Sequence, residues 1–208
     1  MKKIISASLL LLFGINSLKS QEEGIASKGN NIVNVYYGVN ILTSVFKTAV
    51  TNASSTDISV KSSGPFGIVY EHLVVDKIGL GAEIGYGSTT VTFKDVETSY
   101  NSTTGTTSTS SYDYTYKFAT IRAMFRANFH FTNSENFDAY GFVSAGYRGT
   151  TFSFTSNDPY AIKANYTGIP FGIKPGVGLR YFFIPAMGIN LEMAIGTPLI
   201  SGGLSFKF

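Results

Sequence analysis

Apolar and polar residues alternate one by one through eight separate segments of this 208-residue chain. In one of them Leu80, Ala82 and Ile84 alternate with glycine and glutamate. Because successive side chains of a β-strand point to opposite faces, each segment has one apolar face and one polar face. The predicted strands are Ile32–Phe46, Gly64–Val74, one starting at Ile78, one ending at Phe131, Ala139–Phe154, Thr167–Phe183, Met187–Ile195 and Ser201–Phe208.

The connections between these strands alternate in length. Those after strands two, four and six are short, namely Val75–Lys77, Thr132–Phe137 and Ile184–Ala186. Those at the other ends are mostly longer and polar, namely Lys47–Ser63, Lys94–Ser111, Ser156–Tyr166 and the short Thr197–Leu199. Short turns on one side and longer loops on the other are typical of transmembrane barrels, whose strands need about ten residues to cross. The sequence therefore predicts an all-β fold, an eight-stranded antiparallel transmembrane β-barrel.

The N-terminus and the composition indicate export. A basic start at Lys2 and Lys3 precedes a mostly apolar stretch from Ile4 to Ile15, which is typical of a secretory signal peptide. We expect residues 1–20 to be the signal peptide, cleaved after Ser20, and 21–208 to be one barrel domain. The chain has no cysteine, which excludes disulfides and cysteine metal sites. Three of the 16 basic residues lie in the signal, so the remainder balances the 13 acidic residues and predicts no nucleic-acid binding.

The C-terminus has a spaced pattern of a polar residue, a glycine and two aromatic residues. The residues are Ser201, Gly203, Phe206 and Phe208. This ending resembles the terminal signal of Gram-negative outer-membrane β-barrels, and the chain is similar to small barrels of the OmpA/OmpX type and to OmpW-like proteins. The resemblance implies location in the outer membrane, contact with outer-membrane lipid and lipopolysaccharide, and recognition of this segment by the barrel-assembly machinery.

Aromatic residues cluster near the predicted strand ends, where membrane barrels carry interfacial girdles. General β-propensity is the alternative explanation. The predicted girdle at the side of the termini consists of Phe129, Phe131, Tyr181, Phe183, Phe206 and Phe208. The predicted outer girdle consists of Phe93, Tyr112, Tyr114, Phe152, Phe154 and Tyr166. The Ser/Thr-rich stretch Asn101–Ser111 predicts a solvated loop without regular structure.

Eight charged residues fall on the polar faces of the predicted strands. They are Glu71, Glu83, Arg122, Arg126, Arg148, Lys174, Arg180 and Glu192. An arginine at mid-depth on the lipid face would cost about 2–4 kcal/mol, and an eight-stranded barrel has an interior only wide enough for side chains. We therefore interpret these residues as an ion-paired network that fills the barrel. The surplus of basic groups, with space left by inward glycines, also allows a selective conduit or a ligand site.

Three functional hypotheses follow. The first is a structural or surface-interaction protein with a side-chain-filled interior, and the second is a narrow channel or transporter for small or apolar solutes. The third, a lipid-modifying enzyme, ranks last because His72 and His130 lie at the periplasmic ends of their strands, whereas known barrel enzymes work at the outer leaflet. No motif for a cofactor or a metal is found, so we predict neither, and no enzymatic activity.

Overall fold

The computed structural model describes residues 24–39 and 56–208. The predicted signal peptide and the part of the first predicted strand beyond Val39 lie outside these ranges. Every element of regular structure that it describes is a β-strand. The strands are β1 (Asn31–Gly38), β2 (Thr56–Val75), β3 (Ile78–Asn101), β4 (Thr106–His130), β5 (Phe137–Ser156), β6 (Ala164–Thr167), β7 (Gly172–Ile184), β8 (Met187–Ala194) and β9 (Ile200–Lys207). A helix long and apolar enough to cross a membrane is absent from the described residues.

Eight of these strands form a closed antiparallel ring. The order around it is β1, β2, β3, β4, β5, β7, β8 and β9, and β9 pairs with β1 to close it. The short β6 pairs with the part of β5 beyond the stretch that pairs with β7, so β6 and β7 occupy one position in the wall. The predicted eight-stranded antiparallel barrel is confirmed. We call the end with Asn31 and Lys207 the terminal end, and the end with the β3–β4 turn the hairpin end.

The half of the barrel nearer the terminal end has an apolar outer face. On β4, every odd-numbered side chain from Ile121 to Phe129 is exposed and every even-numbered one is buried. Phe125 is 82% exposed, whereas the next inward residue, Arg126, is 3% exposed. The same alternation on the other ring strands produces a continuous apolar band around the barrel. An apolar outer band is what the alternation predicts for a barrel that crosses a membrane.

A short N-terminal segment closes the terminal end. Ile25 and Ala26 have no exposed surface and pack with Ile32, Leu73 and Phe182. The Ala26 amide donates to Asn133 Oδ1 at 3.0 Å, and the Lys77 amide donates to the Ala26 carbonyl at 2.9 Å. We call residues 24–30 the N-terminal cap. The sequence pattern did not indicate it, because the segment is too short to show a period.

At the hairpin end, four strands continue far beyond the apolar band. β3 and β4 pair without a register shift from Ile78–Phe129 to Asn101–Thr106. At about 3.3 Å per residue these strands are roughly 80 Å long, more than twice what a membrane crossing needs. The predicted irregular loop at Asn101–Ser111 is therefore wrong, since only 102–105 form the turn of a long hairpin. The predicted loop Lys94–Ser111 is likewise mostly strand. We call the part of β2–β6 beyond the band the extension.

A β-bulge on β2 marks the border between band and extension. The register shifts by one residue between Ser63 and Phe66, where Gly64 has φ +76°. A residue with a side chain would be strained in that conformation. The bulge exchanges odd and even positions, so that Val60 pairs with the buried Val91. Because the bulge interrupts the alternation, the sequence analysis assigned the outer half of β2 to a loop.

The predicted strand Thr167–Phe183 is interrupted at 168–171. Pro170 lies in the gap and has no amide hydrogen to donate to a neighbouring strand. The chain nevertheless stays beside β5, because the Gly168 amide donates to the Thr150 carbonyl at 3.0 Å. The wall therefore keeps eight positions but is irregular at this point.

Candidate functional site

The eight charged residues that the sequence assigned to the polar faces all lie on the enclosed side of the ring. Arg148 is partly exposed near the hairpin end. The other seven are buried, namely Glu71, Glu83, Arg122, Arg126, Lys174, Arg180 and Glu192. Ion pairs join most of them into two groups. Arg122 lies at the edge of the second group, 3.7 Å from Glu83, and Arg148 lies beyond it toward the hairpin end.

The first group is a ring of four charges near the terminal end. His130 lies between two carboxylates, with Nε2 2.7 Å from Glu71 Oε1 and Nδ1 2.8 Å from Asp138 Oδ1. Arg180 bridges the same carboxylates, donating to Glu71 Oε2 at 2.7 Å and to Asp138 Oδ2 at 3.1 Å. Both imidazole nitrogens face carboxylate oxygens, and with both carboxylates ionised only the doubly protonated ring donates to each of them. The group then contains two positive and two negative charges and is neutral.

The second group lies in the middle of the barrel. Glu83 is 0% exposed and accepts hydrogen bonds from Lys174 Nζ at 2.5 Å and from the Tyr36 hydroxyl at 3.0 Å. Arg126 binds Glu192 through both terminal nitrogens, at 2.6 and 3.2 Å. Its Nη1 also lies 3.6 Å from Glu83 Oε2, which connects the two carboxylates. Because each buried carboxylate has a close cation, the cost of burying its charge is offset.

Aromatic rings occupy the space beside these charges. The Arg126 guanidinium lies 3.6 Å from the centroid of the Phe142 ring, and that of Arg180 lies 4.1 Å from the Tyr140 centroid. The inward Gly176 and Gly178 face these same two rings, which a Cβ at either glycine would overlap. The inward glycines were expected to leave free space. At these two positions they make room for rings instead.

Arg122 and Arg148 are less well paired than the charges below them. Their residues are direct partners in the β4–β5 register. Arg122 Nη2 donates to the Tyr36 hydroxyl at 3.2 Å, and its Nε lies 3.7 Å from Glu83 Oε1, within ion-pair range but too far for a hydrogen bond. Its Nη1 has no hydrogen-bond partner among the described residues. Arg148 makes one long hydrogen bond, to Thr197 Oγ1 at 3.4 Å. None of the ion pairs in the described part of the chain involves Arg148.

The C-terminal pattern lies in β9, against β1 and β8. Ser201 is buried and Gly203 packs directly against the β1 backbone, with no room for a Cβ. Phe206 and Phe208 are partly exposed at the terminal end. Recognition of these four residues by the barrel-assembly machinery stays a prediction.

Aromatic residues of the extension form a stacked cluster on one face of the sheet. The even-numbered side chains of β4 from Tyr116 to Arg122 lie on one face, because the pairing with β3 is not interrupted between them. Arg122 points inward, so the cluster lies on the inward face. The Tyr116 ring lies 4.7 Å from Phe154 and 5.9 Å from Phe93, measured between centroids. The cluster, which we call the aromatic ladder, comprises Phe93, Tyr114, Tyr116, Phe118, Phe152 and Phe154. Assignment of Phe93, Tyr114, Phe152 and Phe154 to an outer lipid-facing girdle is therefore wrong.

The sequence analysis missed two members of the charge network, Asp138 and Tyr140, and the role of a third, His130. Asp138 has the same parity on β5 as Arg148, so its position could have been found by extending that strand by one residue. His130 was expected to be a polar inward group, but its position between two carboxylates depends on three strands meeting in space. Tyr140 was not singled out, although its hydroxyl donates to Glu192 Oε1 at 2.7 Å.

Comparison with known proteins gives similarity at the level of the fold. No family model and no curated protein matches the sequence. The N-terminal β-barrel domain of Pseudomonas aeruginosa OprF is 10% identical over 87% of this chain and 98% of that chain, with a TM-score of 0.44. The attachment invasion locus protein Ail of Yersinia pestis is 13% identical over 87% and 99%, with a TM-score of 0.42. The outer membrane protein OprG of Pseudomonas aeruginosa is 13% identical over 88% and 97%, with a TM-score of 0.41.

Proposed function

We propose that this protein, whose closed eight-stranded ring and apolar outer band are those of an outer-membrane β-barrel, is a filled barrel that does not conduct. In this proposal the barrel is a scaffold for the extension, which acts as a contact surface outside the cell. The terminal end lies in the periplasm, and outer-membrane lipid and lipopolysaccharide surround the band. The protein is not an enzyme.

The contacts of Glu83 carry the proposal. This β3 carboxylate is bonded to Tyr36 on β1, Ser144 on β5 and Lys174 on β7. These strands lie on different sides of the ring, so the bonds cross the barrel interior. A solute passing through would have to separate a buried carboxylate from its cation, which leaves an uncompensated charge and costs about 3–5 kcal/mol.

The N-terminal cap supports the same conclusion at the terminal end. Ile25 and Ala26 are fully buried there, and their backbone groups are bonded to the turns between strands. A path through the barrel would therefore have to pass two obstacles, the charge network and the cap.

The extension supports the surface role. Its outward side chains are mostly hydroxyl-bearing or charged, for example Thr90, Lys117 and Thr151, and suit contact with water. Paired strands hold this surface in a defined shape at a distance from the membrane, which an irregular loop would not do.

Conductance in planar lipid bilayers tests the filled interior. We expect the folded protein to give no stable single-channel steps. The double variant Glu83→Ser with Arg126→Ser removes two opposite charges and much of the filling, and we expect it to give small steps. Thr151→Ser, on the outward face, is the matched control and should behave as the native protein. Stable steps from the native protein would contradict the proposal and favour the narrow channel.

A further inference from the structure

We propose that the extension binds a second copy of this chain, held in a facing membrane, by antiparallel pairing of one strand edge. The edge belongs to β4 and comprises Thr106–Tyr112, and we call it the open edge. The inference rests on the proposed function and deepens it, since it names a partner for the contact surface.

The open edge lies where the sheet of the extension narrows to two strands. β5 ends at Ser156, the register partner of Tyr114, whereas β4 pairs with β3 as far as Thr106. Just beyond the end of β5, Asn157 Oδ1 accepts from the Asp113 amide at 2.7 Å, and the Ser156 hydroxyl donates to the Asp113 carbonyl at 2.9 Å. From there to the tip, no described strand pairs with this side of β4.

The alternation of the backbone decides which groups the open edge presents. In an antiparallel strand, the N–H and C=O of every second residue point to the same side. Those of Asp113 point to the side of β5, since Asn157 and Ser156 bond to them there. The N–H and C=O groups of Ser111, Thr109 and Thr107 therefore point the same way, and beyond β5 that side is the open edge.

The parts of the chain that the structure does not describe are attached elsewhere. Residues 40–55 connect β1 to β2, and β2 pairs with the side of β3 that faces away from β4. The residues before Gly24 precede the N-terminal cap, at the opposite end of the barrel. The open edge is therefore bounded by described residues, with β3 beside it and the end of β5 below it.

The composition of the open edge favours pairing with another strand. Exposed sheet edges commonly carry a lysine, a proline or a bulge that hinders association. From Thr106 to Tyr112 the chain has no charged residue and no proline, and its pairing with β3 has no register shift. A two-stranded ribbon is only marginally stable in water, and further strands stabilise it.

The open edge is complementary to itself. In an antiparallel pair centred on Thr109, this residue faces its own copy, and Thr107 faces the partner's Ser111. All three N–H and all three C=O groups of each edge are then bonded. The facing side chains carry hydroxyl groups, which favours cross-strand contact, and no two like charges lie opposite each other. The pair ends at Tyr112, one residue before the position that Asn157 closes.

The direction of β4 places the second copy in a facing membrane. β4 runs from the tip toward its own barrel, so an antiparallel copy leads from the contact to a barrel on the far side. Two copies in one membrane would instead present their open edges in parallel. Thr109 lies about 36 Å along the strand from Thr120, the register partner of Gly87 at the border of the band. Two paired copies therefore hold their bands up to about 70 Å apart.

Clustering of lipid vesicles tests the contact. The native protein is inserted into two sets of phosphatidylcholine vesicles, one with a donor dye on the lipid and one with an acceptor dye. We expect energy transfer between the sets, because many weak pairs act together between two membranes. No clustering by the native protein would overturn the inference. Cross-linking within one vesicle without clustering would place both copies in one membrane and would also overturn it.

An exchange of charge at Thr109 locates the pairing. Because this residue faces its own copy, Thr109→Glu and Thr109→Lys place like charges opposite each other, and each alone should slow clustering by about tenfold or more. Mixing vesicles of the two variants should restore the native rate to within about twofold, and salt should weaken the mixed contact. A mixture that clusters no faster than either variant alone would sink the pairing.

Thr151→Glu is the matched control. It adds the same charge to the outward face of the extension, on a strand that is paired on both sides with β4 and β6. The rate of clustering should change by less than about twofold, because the added charge lies away from the contact and is screened. Equal losses from Thr151→Glu and Thr109→Glu would mean general repulsion between charged surfaces and would contradict the site.

The homophilic contact and the filled barrel fail separately. Absence of clustering would overturn the contact, whereas the filled barrel would stand with another partner for its extension. Conductance by the native protein would overturn the filled barrel and leave the comparison of vesicle clustering valid.

Discussion

The membrane band and the extension are built from the same strands but have opposite polarity. In the band, Phe125 points outward and Arg126 inward. Further along the same strand, Lys117 points outward and Tyr116 inward, with no break in the alternation between them. The band has an apolar exterior and a charged interior, whereas the extension has a polar exterior and an aromatic inner face.

The difference shows that alternation specifies a strand, while the surrounding medium decides which face is apolar. Lipid outside the band favours apolar side chains there and forces charges inward, where they must pair. Water outside the extension removes that requirement, so apolar rings gather on the sheltered face as in a soluble sheet. Substitutions at matched positions in the two regions test this contrast.

Removing a cation from the interior of the band should lower the free energy of unfolding most. Arg180→Met leaves Glu71 and Asp138 with His130 as their shared cation, and we expect the free energy of unfolding to fall by about 3–5 kcal/mol. Lys117→Met, on the outer face of the extension, should change it by less than about 0.5 kcal/mol. Urea unfolding of the protein folded in lipid vesicles measures both. A loss below about 1 kcal/mol for Arg180→Met would show that the network contributes little.

Adding a charge to the outer face should reduce stability much more in the band than in the extension. Phe125→Arg at the middle of the band should cost about 2–4 kcal/mol, because the guanidinium would face hydrocarbon. Thr151→Arg, on the outer face of the extension, faces water and should cost less than about 0.5 kcal/mol. Folding equilibria into vesicles compare the two. Similar losses would place both residues in the same medium and would refute the boundary at Gly64.

Truncating the aromatic ladder should loosen the extension alone. Tyr116→Ala removes ring contacts with Phe93, Phe152 and Phe154, each worth about 0.5–1.5 kcal/mol beyond its area. We expect faster hydrogen exchange at β4 amides above the band and unchanged exchange within it. Thr115→Ala, one position away on the outward face, is the control. Faster exchange throughout β4 would mean that the two regions unfold as one unit.

The smallest effect should come from the surface ion pair between Lys94 and Asp57. The Nζ–Oδ2 distance is 3.3 Å, and both side chains are largely exposed. Asp57→Asn keeps the shape of the side chain, and we expect a loss of less than about 1 kcal/mol that disappears at high salt. Thermal unfolding at two salt concentrations checks this. A loss that persists at high salt would argue for a role of Asp57 in the backbone, where φ is +56°.

The strand pattern, the ring of eight and the inward position of the charges could all be predicted from the sequence. The period of two depends only on backbone geometry, and it survives wherever one medium covers one face over many residues, as on β4 and β8. The prediction failed where the period changed, at the Gly64 bulge, and where the polarity of the two faces reversed, beyond Gly87, which lies next to Pro65 at the level of the bulge. It also failed at Pro170, which interrupts a strand without removing it from the wall.

From the order of amino acids alone it follows that strands close into a barrel with charges inside, because neither lipid-facing arginines nor unpaired edges are tolerated in a membrane. Which charges form ion pairs depends on how the strands are arranged in space. His130 lies between Glu71 and Asp138 on two other strands, whereas Arg122 Nε reaches Glu83 only at 3.7 Å and its Nη1 has no hydrogen-bond partner among the described residues. The stagger of the closed ring sets these contacts, and alternation along one strand contains no information about the stagger between strands.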